Sequence, residues 1–328
     1  MKYRRLGTSG IEVSEMSLGC WTMGGLNWVE GKANGWANVN EDEIMRAVKL
    51  AIDNGVNHFD NADIYGNGRA ERMLARVLNR LGLKSEDYII ATKVGHFKGT
   101  AAHAYEPLHI RHQCEQSLKN LRRDYIDIYY LHHGDFGPAN QYLAEAAETL
   151  EALREEGKIR IKGQSAYTAA HFKTAVPMVR PEVLQSWAHA LDTRFIEPKG
   201  PVGRLMVENK LSLVAFSPLS KGLLLDKFDP ENMPAFEDGD HRKASPQFNV
   251  ENLRRLKRKM VPIKERFGAS IADLAAVALR FVLTFPRVAC VIPGFRNERQ
   301  IAANLTVTGR ELSPADVAFI KGLLQSPP

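Results

Sequence analysis

The chain has 328 residues, of which 44% are hydrophobic and 25% charged, and its formal net charge is +6 at pH 7. These values are typical of a soluble globular protein and exclude a disordered or fibrous chain. No apolar run approaches the ~18 residues that a membrane span needs, and the modest positive charge does not indicate nucleic-acid binding. Cys20, Cys114 and Cys290 lack metal-ligand spacing, which predicts free thiols, no metal site and a cytoplasmic location.

The first predicted element is a β-hairpin formed by YRRLGTSGIEVS (3–14), with GTSG around its turn. After it, short apolar or β-branched runs alternate with helical patterns along the chain. Helix starts carry capping signals, such as Asn40 with Glu43 three residues later, and the same spacing recurs in SIAD (270–273) and SPAD (313–316). Eight strands are predicted, at residues 15–20, 57–61, 88–93, 125–131, 159–164, 183–187, 211–216 and 288–292.

The alternation of strands and helices predicts parallel strand pairing through right-handed crossovers. Eight such units favour a closed (β/α)8 TIM barrel over an open doubly wound sheet, which often carries a glycine-rich first turn that this sequence lacks. No composition break divides the chain, so residues 1–328 are predicted to form one α/β domain. We expect the hairpin to plug the bottom of the barrel, and the long loop at 220–250, after strand seven, to form a lid at the top.

Ionisable side chains stand at the carboxyl ends of three consecutive predicted strands, where the active sites of such barrels lie. Asp60 ends the second strand and Tyr65 follows it, while Lys93 ends the third strand and His132 the fourth. A buried Lys93 needs a partner such as Asp60, and its charge would lower the pKa of Tyr65. A histidine would complete a proton-relay group. Taken singly, these residues are better explained as an ion pair, a packing aromatic and a core histidine, but the four together on consecutive strands favour a catalytic group.

Six motifs in chain order resemble those of the aldo-keto reductase family, and the resemblance covers nearly the whole chain. The motifs are GVNHFDNADIYGNGRAE (55–71), IIATKVG (89–95), DYIDIYYLHHGD (124–135), EGKIRIKGQS (156–165), AFSPLSKGLL (215–224) and VIPGFRNERQIAANL (291–305). The resemblance implies a catalytic tetrad of Tyr65, Asp60, Lys93 and His132, in which the tyrosine donates the proton. We prefer His132 to His133 because it lies five residues after Asp127, where the family places its histidine.

The resemblance also implies a nicotinamide cofactor, NADP(H), bound along the top of the barrel. The residues that it places at the cofactor are Trp21, Asp60, Ser165, Gln185, Phe216, Ser217, Leu219, Gly294, Arg296, Gln300 and Asn304. A guanidinium suits a phosphate better than a ribose hydroxyl, so with Arg296 at the 2′-phosphate NADPH is expected to be preferred over NADH. Arg242, in the long loop, could also reach that phosphate. Ala166, Ala188 and His189 depart from the family pattern near the carboxamide.

The implied reaction is reversible hydride transfer between the nicotinamide and a small-molecule carbonyl or alcohol. A largely apolar substrate pocket is expected around Trp21, Trp28, His96, Phe97, Phe136 and Trp187. One alternative is a nucleotide-binding regulatory subunit of the same fold with little catalytic activity. A second is a metal-dependent hydrolase, which is disfavoured because the adjacent His132 and His133 would point to opposite faces of one strand. The sequence predicts no nucleic-acid or membrane partner and leaves the oligomeric state open.

Overall fold

The computed structural model describes residues 1–309 and 311–326, and its strands form where the apolar and β-branched runs lie. The strands are β1 (Tyr3–Arg5), β2 (Glu12–Ser14), β3 (Leu18–Gly19), β4 (Trp28–Val29), β5 (Lys32–Ala33), β6 (His58–Asp60), β7 (Ile89–Val94), β8 (Ile126–Leu131), β9 (Ile159–Ser165), β10 (Val183–Trp187), β11 (Ser212–Phe216) and β12 (Val288–Ile292). The helices are α1 (Glu41–Asp53), α2 (Arg69–Arg80), α3 (Pro107–Leu121), α4 (Leu143–Glu155), α5 (Ala169–Val179), α6 (Pro201–Glu208), α7 (Val250–Phe267), α8 (Ile271–Leu283), α9 (Glu298–Leu305) and α10 (Pro314–Leu324). Each predicted barrel strand is therefore present.

The eight barrel strands pair in parallel in the order β3-β6-β7-β8-β9-β10-β11-β12. The sheet closes where the backbone of Ser17 donates to the Val291 carbonyl (2.9 Å) and Val291 donates back to Glu15 (2.9 Å). A side chain on Gly19 would come within 2.8 Å of the Ile292 side chain, so glycine permits this close approach of β3 and β12. The (β/α)8 barrel predicted from the strand–helix alternation is confirmed.

Side-chain caps define the helix starts that the sequence pattern predicts. Asn40 accepts from the backbone N–H groups of Asp42 and Glu43 at the start of α1. Reciprocal capping boxes begin α8 and α10, with a serine and an aspartate three residues apart at each. Such caps satisfy backbone donors that have no partner within the helix.

The N-terminal hairpin, β1 and β2, covers the lower end of the barrel. Its buried apolar side chains are Leu6, Ile11 and Val13. They pack with barrel residues that include Val183 and Val214. The Gly7 N–H donates to Ser212 Oγ (2.9 Å), and that hydroxyl donates to the Arg5 carbonyl (3.1 Å). Because Val183 and Ser212 are the first residues of β10 and β11, the hairpin plugs the amino-terminal end of the barrel, as predicted.

Residues 226–249, after the seventh barrel strand, form neither helix nor regular strand, which confirms the predicted long loop. The loop reaches the small hairpin β4–β5, where Asp240 forms a bridge with Gly35 and is fully buried. The Trp28 indole lies against Gly239, where a side chain would come within 2.8 Å of the ring. The loop is thus attached to the segment after β3.

Within the described ranges, no helix has the length and apolar character that crossing a membrane requires.

The first prediction concerns the ion pair beside the barrel seam. The Glu15 carboxylate, only 2% exposed, accepts from the 5% exposed Arg280 at 2.9 Å and from Arg4 at 2.6 Å. Replacing Glu15 with Gln leaves the Arg280 charge uncompensated, so the free energy of unfolding should fall by about 3 kcal/mol. The matched control is Glu12→Gln, which breaks an exposed pair with Arg5 and should cost at most about 1 kcal/mol. Equal midpoints for both variants in urea denaturation would contradict this account of the seam.

Candidate active site

A buried ion pair lies at the ends of β6 and β7. The Lys93 ammonium donates to Asp60 Oδ1 (2.6 Å) and to the Asn61 carbonyl (2.5 Å), and it lies 3.5 Å from the Tyr65 hydroxyl. The other Asp60 oxygen accepts from Gln185 Nε2 at 2.6 Å. Three ammonium protons and both carboxylate oxygens therefore have partners, which is the condition under which a buried ion pair is tolerated. Lys93 and Asp60 pair as the sequence predicts.

Tyr65 projects from the loop between β6 and α2, and the backbone of that loop is tied to β7. The Asp63 N–H donates to the Lys93 carbonyl (3.2 Å), and the Gly68 N–H donates to the Asp63 carbonyl (2.7 Å). The Tyr65 ring stacks on Trp21, with 5.9 Å between ring centroids. These contacts hold the phenol next to the Lys93 ammonium.

The pKa of Tyr65 moves in the direction opposite to our expectation. Burial raises it well above the usual value of 10, and the negative charge of Asp60 adds to the increase. The expected net lowering is wrong because burial and the Asp60 charge outweigh the stabilisation of the phenolate by Lys93, whose charge is itself paired with Asp60. Tyr65 is consequently protonated at neutral pH and can act as a proton donor.

The structure distinguishes the two adjacent histidines. His133 Nε2 bonds to the Gly95 carbonyl (2.7 Å), and its Nδ1 accepts from the Asp135 N–H (3.1 Å). His132 is buried, its ring centroid lies 6.1 Å from that of Tyr65, and its Nδ1 has no partner among the described residues. Since both nitrogens of His133 are engaged by the backbone, His132 is the histidine available to a ligand. This favours our choice of His132.

Two further residues border the site, and they were not among the predicted site residues. Tyr167 lies two residues beyond β9, and its hydroxyl is 3.0 Å from Nε2 of His96, two residues beyond β7. His241, from the long loop, packs its ring 4.3 Å from both Trp21 and Trp36. The position of Tyr167 just after a barrel strand is a signal that could have identified it. Nothing comparable in the sequence indicates the contact of His241 with Trp21.

The residues predicted at the nicotinamide end come from strand ends that lie side by side. Gln185 is in register with Ser165, and Trp187 with Phe216. The Ser165 hydroxyl is buried and has no partner among the described residues, so it is free to bond to a ligand. The Gln185 amide nitrogen, in contrast, is already committed to Asp60.

The departures from the family pattern lie in the barrel wall. Ala166 and Ala188 are fully buried, and their backbone N–H groups donate to Gln185 (3.1 Å) and Phe216 (3.2 Å). The backbone of His189 exchanges hydrogen bonds with that of Asp192. These residues therefore fill the wall with packed side chains and satisfied backbone groups. Ser217 and Leu219 follow β11 directly, and the Ser217 backbone takes a left-handed conformation (φ +54°).

Basic side chains gather at the predicted adenosine end. The Arg296 backbone N–H donates to Gln300 Oε1 (2.8 Å), and Asn304 donates to the Gly294 carbonyl (3.4 Å). Desolvation, together with the cations Arg242, Arg296 and Arg299, lowers the pKa of Lys227. Within residues 1–309 and 311–326, neither Lys227 nor Arg296 forms an ion pair with a carboxylate. Unpaired positive charges held close together fit a phosphate-bearing ligand.

Arg242 has a different environment from Arg296. Its guanidinium donates to both oxygens of Asp240, at 2.9 and 2.6 Å. It also lies over the rings of Trp36 and Phe236, at 4.6 and 4.5 Å from their centroids. These contacts attach the long loop to the segment after β3.

The described residues contain no group of three or more histidine, cysteine or acidic side chains arranged to hold a metal ion.

The predicted substrate-pocket residues fall into two groups. Trp28 and Phe97 are exposed, and the half-buried Trp187 donates from its indole to Asp192 (2.9 Å). Phe136 is fully buried and stacks on Tyr105 at 4.9 Å between ring centroids. The expectation that Phe136 lines an open pocket is therefore wrong. The residue follows β8, but its side chain turns into the core.

The second prediction concerns the charge of His132. Burial, aided by His96 and Lys93, lowers the pKa of His132 well below its usual value of 6.5. A histidine with a lowered pKa stays neutral above that pKa, so the imidazole should carry no charge between about pH 6 and 8. NMR of protein labelled with 15N-histidine checks this, with His132→Gln assigning the signal. A titration midpoint near ~6.5 would contradict the prediction.

Comparison with known proteins agrees with this geometry. The model of the "Aldo/keto reductase family" matches residues 15–325. Probable aldo-keto reductase 1 of Glycine max is 31% identical, over 96% of this chain and 87% of that protein. A probable voltage-gated potassium channel subunit beta of Arabidopsis thaliana is 28% identical, over 100% of this chain and 98% of that protein. The structure of aldo-keto reductase AKR11C1 from Bacillus halodurans (holo form) superposes with a TM-score of 0.76 at 26% identity, over 98% of this chain and 96% of that one. The chain therefore belongs to the aldo/keto reductase family of oxidoreductases, whose members use nicotinamide cofactors.

Proposed function

We propose that this protein is an NADPH-dependent reductase that interconverts a small-molecule carbonyl compound and its alcohol. The observation that carries the proposal is the placement of a protonated Tyr65 hydroxyl 3.5 Å from the ammonium of a buried, fully hydrogen-bonded Lys93–Asp60 pair. A neutral His132 completes the polar surface beside it. Together these side chains can donate one proton to a substrate oxygen and stabilise the phenolate oxygen that remains on Tyr65.

Each member of the tetrad has a separate role in the proposed reaction. The reduced nicotinamide, when bound, supplies a hydride to the carbonyl carbon. Tyr65 donates its proton to the carbonyl oxygen, and His132 orients that oxygen by a hydrogen bond. As the proton leaves, the Lys93 ammonium stabilises the phenolate, and Asp60 keeps the lysine charged and in place. In the alcohol-to-carbonyl direction, the phenolate accepts the proton. General acid catalysis of this kind contributes about 10²–10⁴-fold.

We assign the nicotinamide end to Trp21, Asp60, Ser165, Gln185 and Phe216. The unpartnered Ser165 hydroxyl would bond to the carboxamide, and the Phe216 ring would pack on the nicotinamide face. Gln185 would act through Asp60, because its amide nitrogen is engaged there. Ser217 and Leu219 would border the pyrophosphate. The adenosine end would lie against Gly294, Arg296, Gln300 and Asn304.

Charge at the adenosine end supports a preference for NADPH. Arg296 and Lys227 have no carboxylate partner among the described residues, so their positive charges are available to a 2′-phosphate. The ribose 2′-hydroxyl of NADH is uncharged and would gain much less from them. Arg242 is a weaker candidate for this contact because Asp240 already occupies its guanidinium.

The three cysteines are free and buried, which fits a cytoplasmic protein.

The alternative function is a nucleotide-binding regulatory subunit. It is favoured by the full-length similarity to the Arabidopsis protein named as a probable potassium channel subunit beta. The two functions differ in turnover. An enzyme oxidises NADPH catalytically with a carbonyl substrate, while a regulatory subunit binds the nucleotide and turns over slowly.

The third prediction tests Tyr65 as the acid. Tyr65→Phe removes the proton and leaves the ring on Trp21, so kcat with aldehydes should fall at least about 100-fold. NADPH affinity, measured by fluorescence titration, should remain within about threefold because the hydroxyl makes no contact at the phosphate end. The control is Tyr3→Phe, which removes a hydroxyl bonded to the Gly55 carbonyl on the far side of the barrel. More than about a tenth of the wild-type rate in Tyr65→Phe would remove Tyr65 from this role.

The fourth prediction tests the cofactor preference. Arg296→Gln removes a charge but keeps a polar side chain, so the Kd for NADPH should rise by about 10- to 100-fold, the worth of a charge-assisted hydrogen bond. The Kd for NADH should change by less than about threefold. Arg111→Gln, which breaks an ion pair with Glu156 on the outside of the barrel, should leave both values unchanged. Parallel loss of NADPH and NADH affinity would contradict the assignment of Arg296 to the 2′-phosphate.

A further inference from the structure

A pair of hydrogen-bonding side chains spans the end of β8 without taking part in the mechanism above. His96 follows β7 and Tyr167 follows β9, and these two strands flank β8, which leads into His132. His96 Nε2 and the Tyr167 hydroxyl are 3.0 Å apart. The His96 ring centroid lies 4.4 Å from that of His132. Both side chains are exposed, Tyr167 by 37%. The pair is therefore open to solvent and directly beside the catalytic histidine.

The pair carries no charge near neutral pH. The rings of His132 and His133 pack on the His96 imidazole, at 4.4 and 4.9 Å between centroids. The resulting desolvation lowers the pKa of His96 to about 4, and desolvation raises that of Tyr167 to about 12. Neither residue forms an ion pair within the described ranges. A neutral donor–acceptor pair suits a hydroxyl group rather than a phosphate or a carboxylate.

Aromatic faces adjoin this polar pair. The Tyr167 ring stacks on Trp187 at 6.2 Å, with 18° between the planes, and meets Phe216 edge-on at 6.4 Å. A carbon chain that carries hydroxyls has C–H faces that pack on such rings and O–H groups that need polar partners. Both requirements are met around Tyr167, whose hydrogen-bond partner His96 packs against His132.

We propose that His96 and Tyr167 form a hydroxyl-binding subsite that makes uncharged hydroxyaldehydes and hydroxyketones the favoured carbonyl substrates. The inference rests on the proposed carbonyl reduction, and it adds a substrate class to it. The carbonyl oxygen lies at Tyr65 and His132, and a hydroxyl further along the carbon chain bonds to the His96–Tyr167 pair. A hydrogen bond between neutral groups is worth about 0.5–1.5 kcal/mol, which corresponds to a selectivity of about 3- to 10-fold.

The test compares two three-carbon aldehydes, glyceraldehyde and propanal, which differ only in their hydroxyl groups. Tyr167→Phe keeps the aromatic face and removes the hydroxyl, so kcat/KM for glyceraldehyde should fall about 3- to 10-fold while that for propanal stays within about twofold. His96→Leu should have the same effect. His96→Gln, which keeps a side-chain amide that can bond to the substrate hydroxyl, should recover part of the loss. Tyr3→Phe is the control and should change neither value.

The outcomes separate this inference from the proposed function. Equal losses on both aldehydes would mean that the pair supports catalysis in general, and they would overturn the subsite. Unchanged kcat/KM values in Tyr167→Phe and His96→Leu would overturn it as well. If the wild-type protein oxidised NADPH with neither aldehyde, the proposed reductase function would fail, and the subsite with it. A loss confined to glyceraldehyde supports both.

Discussion

Two opposite charges, on Lys93 and Asp60, lie side by side in the barrel with at most 4% of either side chain exposed. Such a pair is tolerated only when every remaining proton and lone pair has a partner. The parallel sheet supplies those partners, because β6 and β7 are neighbours and Gln185 reaches Asp60 from β10. Removing one charge would leave the other buried and uncompensated, at a cost of about 3–5 kcal/mol. The position of Tyr65 depends on this arrangement, since its hydroxyl is the third group beside the Lys93 ammonium, at 3.5 Å.

The electrostatics divide the top of the barrel into two parts. Around the tetrad, the ion pair is internally balanced, Tyr65 is protonated and His132 is neutral, so the carbonyl of the proposed substrate would meet hydrogen-bond donors with little net charge. At the opposite part, Arg296 and Lys227 leave positive charge unpaired. A ligand with an uncharged reactive end and an anionic far end matches this division. The long loop joins the two parts, because Arg242 contacts Trp36 and His241 contacts Trp21, which stacks on Tyr65.

Most of the fold and the core of the candidate site could be predicted from the sequence. Apolar residues recur at the period of a strand or a helix because one face of each element is buried, so the alternation of elements could be predicted. The carboxyl ends of the strands in a parallel barrel lie at the same edge, so Asp60 and Lys93 could be placed together without a structure. Phe136 could not be placed, because its direction depends on packing against Tyr105, which lies in a different segment, between β7 and α3. The direction of the Tyr65 pKa shift could not be predicted for a related reason. It depends on how deeply the phenol is buried and on how completely Asp60 balances the charge of Lys93, and the sequence contains neither quantity. The His96–Tyr167 contact joins two loops whose side chains carry no shared pattern.

The most direct test of the ion pair's role is a single-turnover measurement on Lys93→Met. Methionine has a similar length and no charge, so the variant removes the ammonium with little change in volume. Stopped-flow absorbance would follow NADPH oxidation by propanal, after fluorescence titration of the nucleotide. The account predicts a Kd for NADPH within about threefold of wild type and a single-turnover rate lower by at least about 100-fold. A rate within about tenfold of wild type would contradict the claim that the buried lysine supports proton transfer by Tyr65.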